Sequence, residues 1–211
     1  MSPPWILASR NAGKLRELRA LFTAQGIEVI DLREAGVEED MEAEELIEAY
    51  DTFEENALAK ARYFSSLLPG RTVVADDSGL AVDALHGAPG VRSKRWSGRG
   101  DLQGGALDAA NNDRLMSEMR GMENRDARFV CVAAWCDGAS ELVARGDVPG
   151  FIVDVPSGDH GFGYDPYVFV NDLGMTMAEA TVAEKEMVSH RGRAFARLLV
   201  ALRERGLLPP A

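Results

Sequence analysis

Several residue clusters have types and spacings that could do chemistry. Ser9-Arg10-Asn11-Ala12-Gly13-Lys14 stands where a short apolar run gives way to a helical pattern. Backbone N–H groups and the positive end of a helix dipole favour a phosphate at such a place, and Lys14 adds a mobile positive charge. An ordinary helix cap has the same appearance. The segment is not a Walker A loop, which needs glycine where Ala8 stands and Ser or Thr where Leu15 stands. Asp76-Asp77-Ser78-Gly79 follows the apolar run TVVA (72–75). Adjacent carboxylates at the end of a strand repel one another unless a cation or hydrogen bonds hold them. Oxygen ligands that leave room for water and phosphate suit Mg²⁺; an Asp-rich turn is the plainer reading.

Gly161-Phe162-Gly163-Tyr164-Asp165-Pro166 combines glycines, which let a backbone approach closely, with aromatic rings that can stack on a base. A structural loop with a buried aromatic reads the same way. Lys185 precedes Ser189-His190-Arg191. If Ser189 caps the last helix, His190 and Arg191 occupy its first turn, where the dipole opposes cations; that cost points to an anionic or polar partner.

The elements that must position these residues are legible from periodicity. WILA (5–8) reads as a buried strand, and Asn11–Gln25 as a helix with Leu15, Leu18, Leu21 and Phe22 on one face. A second strand is predicted over Glu28–Asp31, and the acidic stretch 34–48 as a solvated loop or helix face. Thr52 with Glu55 three residues on has the capping-box pattern and opens a helix to about Leu68. Its apolar stripe is Phe53, Ala57, Ala61, Phe64 and Leu68, and Lys60 falls within it. An ammonium there needs an anion, which could be a ligand or an acidic side chain, unless the stem snorkels to water. TVVA is a third strand ending at Asp76. A helix over about 106–120, a central strand RFVCVAAW (128–135), an Asp137-Gly138 hairpin into ELVARGDV, further strand residues FIVDV, a last strand YVFV and a final helix complete the pass. This mixture predicts an α/β fold with a mixed sheet, contained in a single domain over residues 1–211.

Composition narrows the function. The net charge of −11 lacks the cationic footprint that a nucleic-acid partner requires, so the basic residues near the motifs suit a small anion better than a polymer. The apolar runs are far below the roughly 20 residues of a membrane span. With no signal-peptide pattern, and with Cys131 and Cys136 at an odd spacing that turns them to opposite faces of one strand, a reduced cytoplasmic protein is expected.

Taken together and in this order, from about Trp5 to Leu202, the motifs resemble the Ham1-type inosine triphosphate pyrophosphatases (dITP/XTP pyrophosphatases). The resemblance implies a long mixed β-sheet flanked by helices, two lobes with a central cleft, a homodimer and Mg²⁺ as cofactor. It implies hydrolysis of ITP, dITP and XTP at the α–β anhydride to the monophosphate and pyrophosphate. Carried over by position, Ser9, Arg10, Asn11, Ala12, Gly13 and Lys14 match the opening triphosphate-binding motif. TFEENALAKA (52–61) matches the helix that sets Lys60 on the phosphates. Glu48, four residues before Thr52, matches a metal-binding glutamate, with Glu44 and Glu45 as rivals in the same acidic run. Asp77 matches the general base and metal-linked aspartate, with Asp76 beside it in the metal set and Ser78 touching substrate. Phe162, Gly163, Tyr164 and Asp165 match the base-binding loop, Lys185 a substrate-binding lysine, and His190 with Arg191 the base-recognition pair. The sequence departs from the family pattern at Arg10, usually a small residue, at Tyr50, commonly glycine, and at Lys94-Arg95-Trp96. Two other readings are a related pyrophosphatase of modified pyrimidine nucleotides and a nucleotide-binding regulator without turnover.

Overall fold

In the computed structural model, which describes residues 3–38 and 41–209, the chain forms strands β1 (Trp5–Leu7), β2 (Val29–Asp31), β3 (Val73–Val82), β4 (Asp126–Cys136), β5 (Glu141–Ile152), β6 (Val168–Val170) and β7 (Met175–Thr176). The helices are α1 (Ala12–Ala24), α2 (Met41–Ile47), α3 (Phe53–Leu67), α4 (Gly104–Glu118), α5 (Val182–Val188) and α6 (His190–Glu204). One seven-stranded sheet has the order β2-β1-β3-β4-β5-β6-β7. Pairing is parallel for β1 with β2 and β3, and antiparallel for β5-β6 and β6-β7. The mixed α/β sheet anticipated from the sequence is therefore present. Among the described residues no helix is long and apolar enough to cross a membrane.

The chain packs as two compact units. The first comprises residues 1–77, 131–146 and 191–211, and the second 78–130 and 147–190. In the first, Leu18 and Phe22 of α1 and Phe195, Leu198 and Leu202 of α6 pack on Trp5, Leu7, Val74 and Trp135. Phe22 meets Trp5 and Phe195 edge-on, with centroids 5.7 and 5.5 Å apart, an arrangement the ring quadrupoles favour. In the second, Leu115 and Met119 at the end of α4 pack on Leu80, Val82, Phe129, Val148, Ile152 and Val168.

The structure corrects several boundaries. TVVA does not end at Asp76: β3 runs ten residues, and Asp76-Asp77-Ser78-Gly79 lie inside it. The apolar Leu80-Ala81-Val82 beyond them are buried and prolong the strand, where the charge pair alone suggests a turn. FIVDV is not a separate strand, since Phe151 and Ile152 finish β5. Strand β7 and helix α5 have no strong periodicity to announce them. The α5 cap is a full capping box, Thr181 with Glu184. Part of the acidic run forms α2, whereas Glu39 and Asp40 lie outside the described residues. Cys131 and Cys136 are both buried and unbridged.

Candidate active site

Most of the charged candidates fall in the first unit, around the middle of β3. Side chains alternate along a strand, so Asp76 shares a face with Val74, which packs against α1 and α6, while Asp77 shares a face with Val73 and Ala75. At the start of α1, Asn11 accepts a hydrogen bond from the Lys14 N–H at 3.0 Å, the N-cap contact, and Ser9 Oγ accepts one from the Asn11 N–H at 3.2 Å. This cap aims Lys14 back along the helix: its Nζ lies 2.9 Å from Asp76 Oδ2. The same carboxylate oxygen accepts from Arg191 Nε at 3.3 Å, and Arg191 Nη1 pairs with Glu17. Burial favours the neutral acid at Asp76, but Lys14, Arg191 and Lys60 overrule it and hold the carboxyl far below its ordinary range.

Asp77 has the opposite environment. Burial, reinforced by the negative charge of Glu48, raises its carboxyl to about 6 despite the opposing pull of Lys60 and Lys14. Asn56 Nδ2 donates to Asp77 Oδ2 at 3.1 Å and to Tyr50 O at 3.2 Å, and Asn56 Oδ1 accepts from the Tyr50 N–H at 3.0 Å. Asn56 is a site residue that the sequence reading does not single out. Its signal is available there: a polar residue one turn before Lys60, on a helix face otherwise filled by Ala57 and Ala61.

Lys60 has the anion its position demands. Its Nζ pairs with Glu48 and donates to the Asp76 carbonyl at 3.0 Å. Burial works against the ammonium, but Glu48, Asp76 and Asp77 together raise its pKa. An acidic side chain is thus the partner in the structure, and that side chain is the candidate metal glutamate itself. Glu44, the rival, is engaged by Arg10, whose Nη2 lies 2.7 Å from Glu44 Oε1 and 2.9 Å from Glu38 O. Arg10 Nη1 donates to Val37 O at 3.2 Å. The large residue at position 10 therefore ties the Ser9–Lys14 segment to α2. The side chain of Glu45 lies outside the described residues.

The remaining candidates belong to the second unit. Ser78 follows Asp77 in β3 and is partly buried. In the glycine loop, Phe162 is 52% exposed and Tyr164 is buried, its hydroxyl donating to Ser93 O at 2.8 Å. Burial pushes the Tyr164 phenol well above its ordinary value, so it stays a neutral donor. Asp165 Oδ2 accepts from Lys185 Nζ at 2.9 Å and from the Phe162 N–H at 3.3 Å. Lys185 also reaches His160 O at 3.4 Å. A β-carbon at Gly161 would come within 2.0 Å of Asp165 Oδ2 and 2.4 Å of Lys185 Nζ, side-chain ends that can shift, so the φ of 92° is what calls for glycine here. His190, the first residue of α6, stacks on Phe129 with centroids 5.3 Å apart and planes 18° from parallel.

Comparison with known proteins shows the family of the chain. The model of the Ham1 family matches residues 5–201. A dITP/XTP pyrophosphatase of Burkholderia pseudomallei (strain K96243) is 46% identical over 202 residues, covering 94% of this chain and 93% of that protein. One from Nocardia farcinica (strain IFM 10152) is 48% identical over 202 residues, covering 93% of each. Among solved structures, the Ham1 protein of Staphylococcus aureus superposes with a TM-score of 0.82 at 35% identity, over 96% of this chain and 100% of that one. The dITP/XTP pyrophosphatase of Mycobacterium abscessus superposes with a TM-score of 0.73 at 42% identity, over 95% and 100%.

Proposed function

The chain belongs to the Ham1 family, and on that premise we propose that it is a Mg²⁺-dependent nucleoside-triphosphate pyrophosphatase. It removes deaminated purine nucleotides (ITP, dITP and XTP) from the nucleotide pool as monophosphate and pyrophosphate. The observation that carries the proposal is the pairing of a buried carboxyl raised to about 6, Asp77, with two ammonium groups, Lys14 and Lys60, held on neighbouring carboxylates. A carboxylate poised near the working pH is suited to take a proton from water. The lysines are suited to neutralise a polyphosphate, which is the larger part of what anhydride cleavage asks of a protein.

The donor set fits Mg²⁺. Among the described residues no group of three His, Cys, Asp or Glu side chains is assembled. Glu48 and Asp77 do lie close enough for the charge of one to raise the carboxyl of the other. One or two carboxylates with water and substrate phosphates is the usual arrangement for this ion, which when bound would add Lewis-acid stabilisation of phosphate charge. Asp76, already held by Lys14 and Arg191, is assigned as the anchor of those two cations, and the metal set narrows to Glu48 and Asp77.

On the family resemblance, the Ser9–Lys14 segment, Lys60, Lys185 and Ser78 are assigned as substrate-binding residues, and Phe162 within the loop Phe162-Gly163-Tyr164-Asp165 as the one that meets the purine face. His190 is assigned to the base edge. The family resemblance puts Arg191 there too, but its Nε and Nη1 are turned to Asp76 and Glu17, so we assign it to the carboxylate side. A homodimer and a cytoplasmic location complete the proposal. Pyrophosphate release from ITP, dITP, XTP, ATP, GTP and dUTP with Mg²⁺ tests it. The expected order places ITP, dITP and XTP well above the others; preferential turnover of dUTP, or no turnover of any, overturns it.

A further inference from the structure

Asp108 and Asn112 stand one turn apart on α4, hence on one face of that helix, and both reach the backbone of Gly163. The Gly163 N–H donates to Asp108 Oδ2 at 3.0 Å, and Asn112 Nδ2 donates to Gly163 O at 2.9 Å. Asn112 is buried, so its carboxamide is held away from bulk solvent at this contact. Gly163 has a φ of 62°, a conformation that glycine adopts without strain. Among the described residues, no atom beyond Gly163 and its two chain neighbours lies within 4 Å of where its β-carbon would be, so the backbone turn, and not crowding, is what the glycine serves. On one side of this gripped residue the Tyr164 hydroxyl is anchored to Ser93 O; on the other stands Phe162, half exposed. The residue before Asn112 on α4, Asn111, grips a different loop, through the Ser97 N–H at 2.7 Å and Lys94 O at 3.1 Å. Helix α4 is thus a spine from which two loops are suspended by carboxamide and carboxylate groups.

We propose that Asp108 and Asn112 are positioning residues for the purine: by fixing both backbone groups of Gly163 they set the direction in which the Phe162 ring presents its face. The inference rests on the reading of Phe162 as the stacking platform. A charge-assisted bond from a backbone N–H to a carboxylate is stronger than a neutral one, so Asp108 is the dominant member of the pair. Because the grip acts on a platform that meets the base before and during reaction alike, its loss raises KM and leaves kcat nearly unchanged.

The experiment uses the full chain and measures kcat and KM for ITP, with inorganic tripolyphosphate as a competitive probe of the phosphate side alone. The variants are Asp108→Ala, Asp108→Asn, Asn112→Ala, Phe162→Ala and the double variant Asp108→Ala/Phe162→Ala. Asp108→Ala and Asn112→Ala should each raise KM by ~3–20-fold, the range expected for losing one or two hydrogen bonds, with kcat within about twofold and tripolyphosphate inhibition unchanged. Asp108→Asn keeps an acceptor oxygen and should restore most of the KM. In the Phe162→Ala background, Asp108→Ala should add nothing, because the ring it positions is gone. If Phe162→Ala raises KM while Asp108→Ala and Asn112→Ala do not, the positioning role is overturned and the stacking platform stands. If Phe162→Ala itself leaves KM unchanged, the platform reading fails and the inference with it. A parallel loss of kcat, tripolyphosphate binding and thermal stability, not rescued by Asp108→Asn, shows a purely structural role and also overturns it. Should Asn112→Ala fail to fold, the partly exposed Asp108 decides the matter through its own two variants.

Discussion

Asp76 and Asp77 are neighbours in β3, yet the first carboxyl is held far below its ordinary range and the second is raised to about 6. The pleat explains the difference. Asp76 projects to the side from which Lys14 and Arg191 arrive, and Asp77 to the side where Asn56 offers a neutral donor and Glu48 adds negative charge. One aspartate is a fixed counter-ion for buried cations, and the other is a carboxylate whose burial outweighs the pull of Lys60 and Lys14.

Substituting the two aspartates should therefore affect stability differently. Asp76→Asn leaves Lys14 and the buried Arg191 guanidinium short of an anion, and breaking such a pair from one side costs about 3 kcal/mol or more. Denaturant unfolding at pH 7.5 with a chelator present should show that loss. Asp77→Asn should unfold at the same denaturant concentration as the native protein or a higher one. Equal destabilisation by both would contradict the assigned environments.

Asp77 also predicts a pH dependence for the chelated protein. Its folded carboxyl is raised from the ordinary 3.8 to about 6. The folded state therefore binds the extra proton between those values, and the stability it contributes is full below about 4 and lost as pH rises through about 6. The difference is of the order of 1–3 kcal/mol. Comparing the pH dependence of the unfolding free energy for the native chain and Asp77→Asn isolates it; parallel curves from pH 4 to pH 7 would refute it.

Turnover should respond to Asp77 more sharply than binding does. Asp77→Asn is expected to lower kcat by ~10²–10⁴-fold, the usual contribution of a positioned base. Nucleotide binding should survive in part, because Lys14 and Lys60 remain. A variant retaining more than about a tenth of native activity would remove Asp77 from the role of base.

Lys60→Met keeps an apolar stem in the α3 stripe while deleting the ammonium that pairs with Glu48. The expected result is weaker binding of nucleoside triphosphate and of tripolyphosphate alike, with a moderate loss of thermal stability, since Met fits the same space but Glu48 and Asp76 lose a neighbouring cation. Unchanged affinity with a markedly lower melting temperature would make Lys60 an ion-pair partner and nothing more.

Arg191→Ala distinguishes the carboxylate side from the base edge. With Nε on Asp76 and Nη1 paired with Glu17, loss of the guanidinium should lower kcat/KM for ITP and ATP by the same factor. A compressed ITP/ATP ratio would return Arg191 to base recognition, because leaving donors unpaired against the wrong base edge is what separates such substrates.

The amino-acid sequence by itself determined the elements with strong periodicity and clear punctuation. Helix α1 with its stripe of Leu15, Leu18, Leu21 and Phe22, α3 with Thr52 and Glu55, and the apolar β4 all follow from local pattern, because a cap or a stripe is a relation among residues a few positions apart. It also placed Lys60 in an apolar stripe and so demanded an anion, which the structure supplies as Glu48. What only the tertiary structure decided were relations between distant segments. The apolar Leu80-Ala81-Val82 beyond the charge pair did not by themselves tell that β3 continues through Asp76 and Asp77, because the charges that hold Asp76 inside a strand come from positions 14 and 191. Nor did local pattern show that Arg10 reaches α2, that Asn56 reaches Asp77, or that Asp108 and Asn112 grip Gly163. A polar residue's type states what partner it needs; the fold alone states which partner arrives, since that depends on how segments dozens of residues apart are packed.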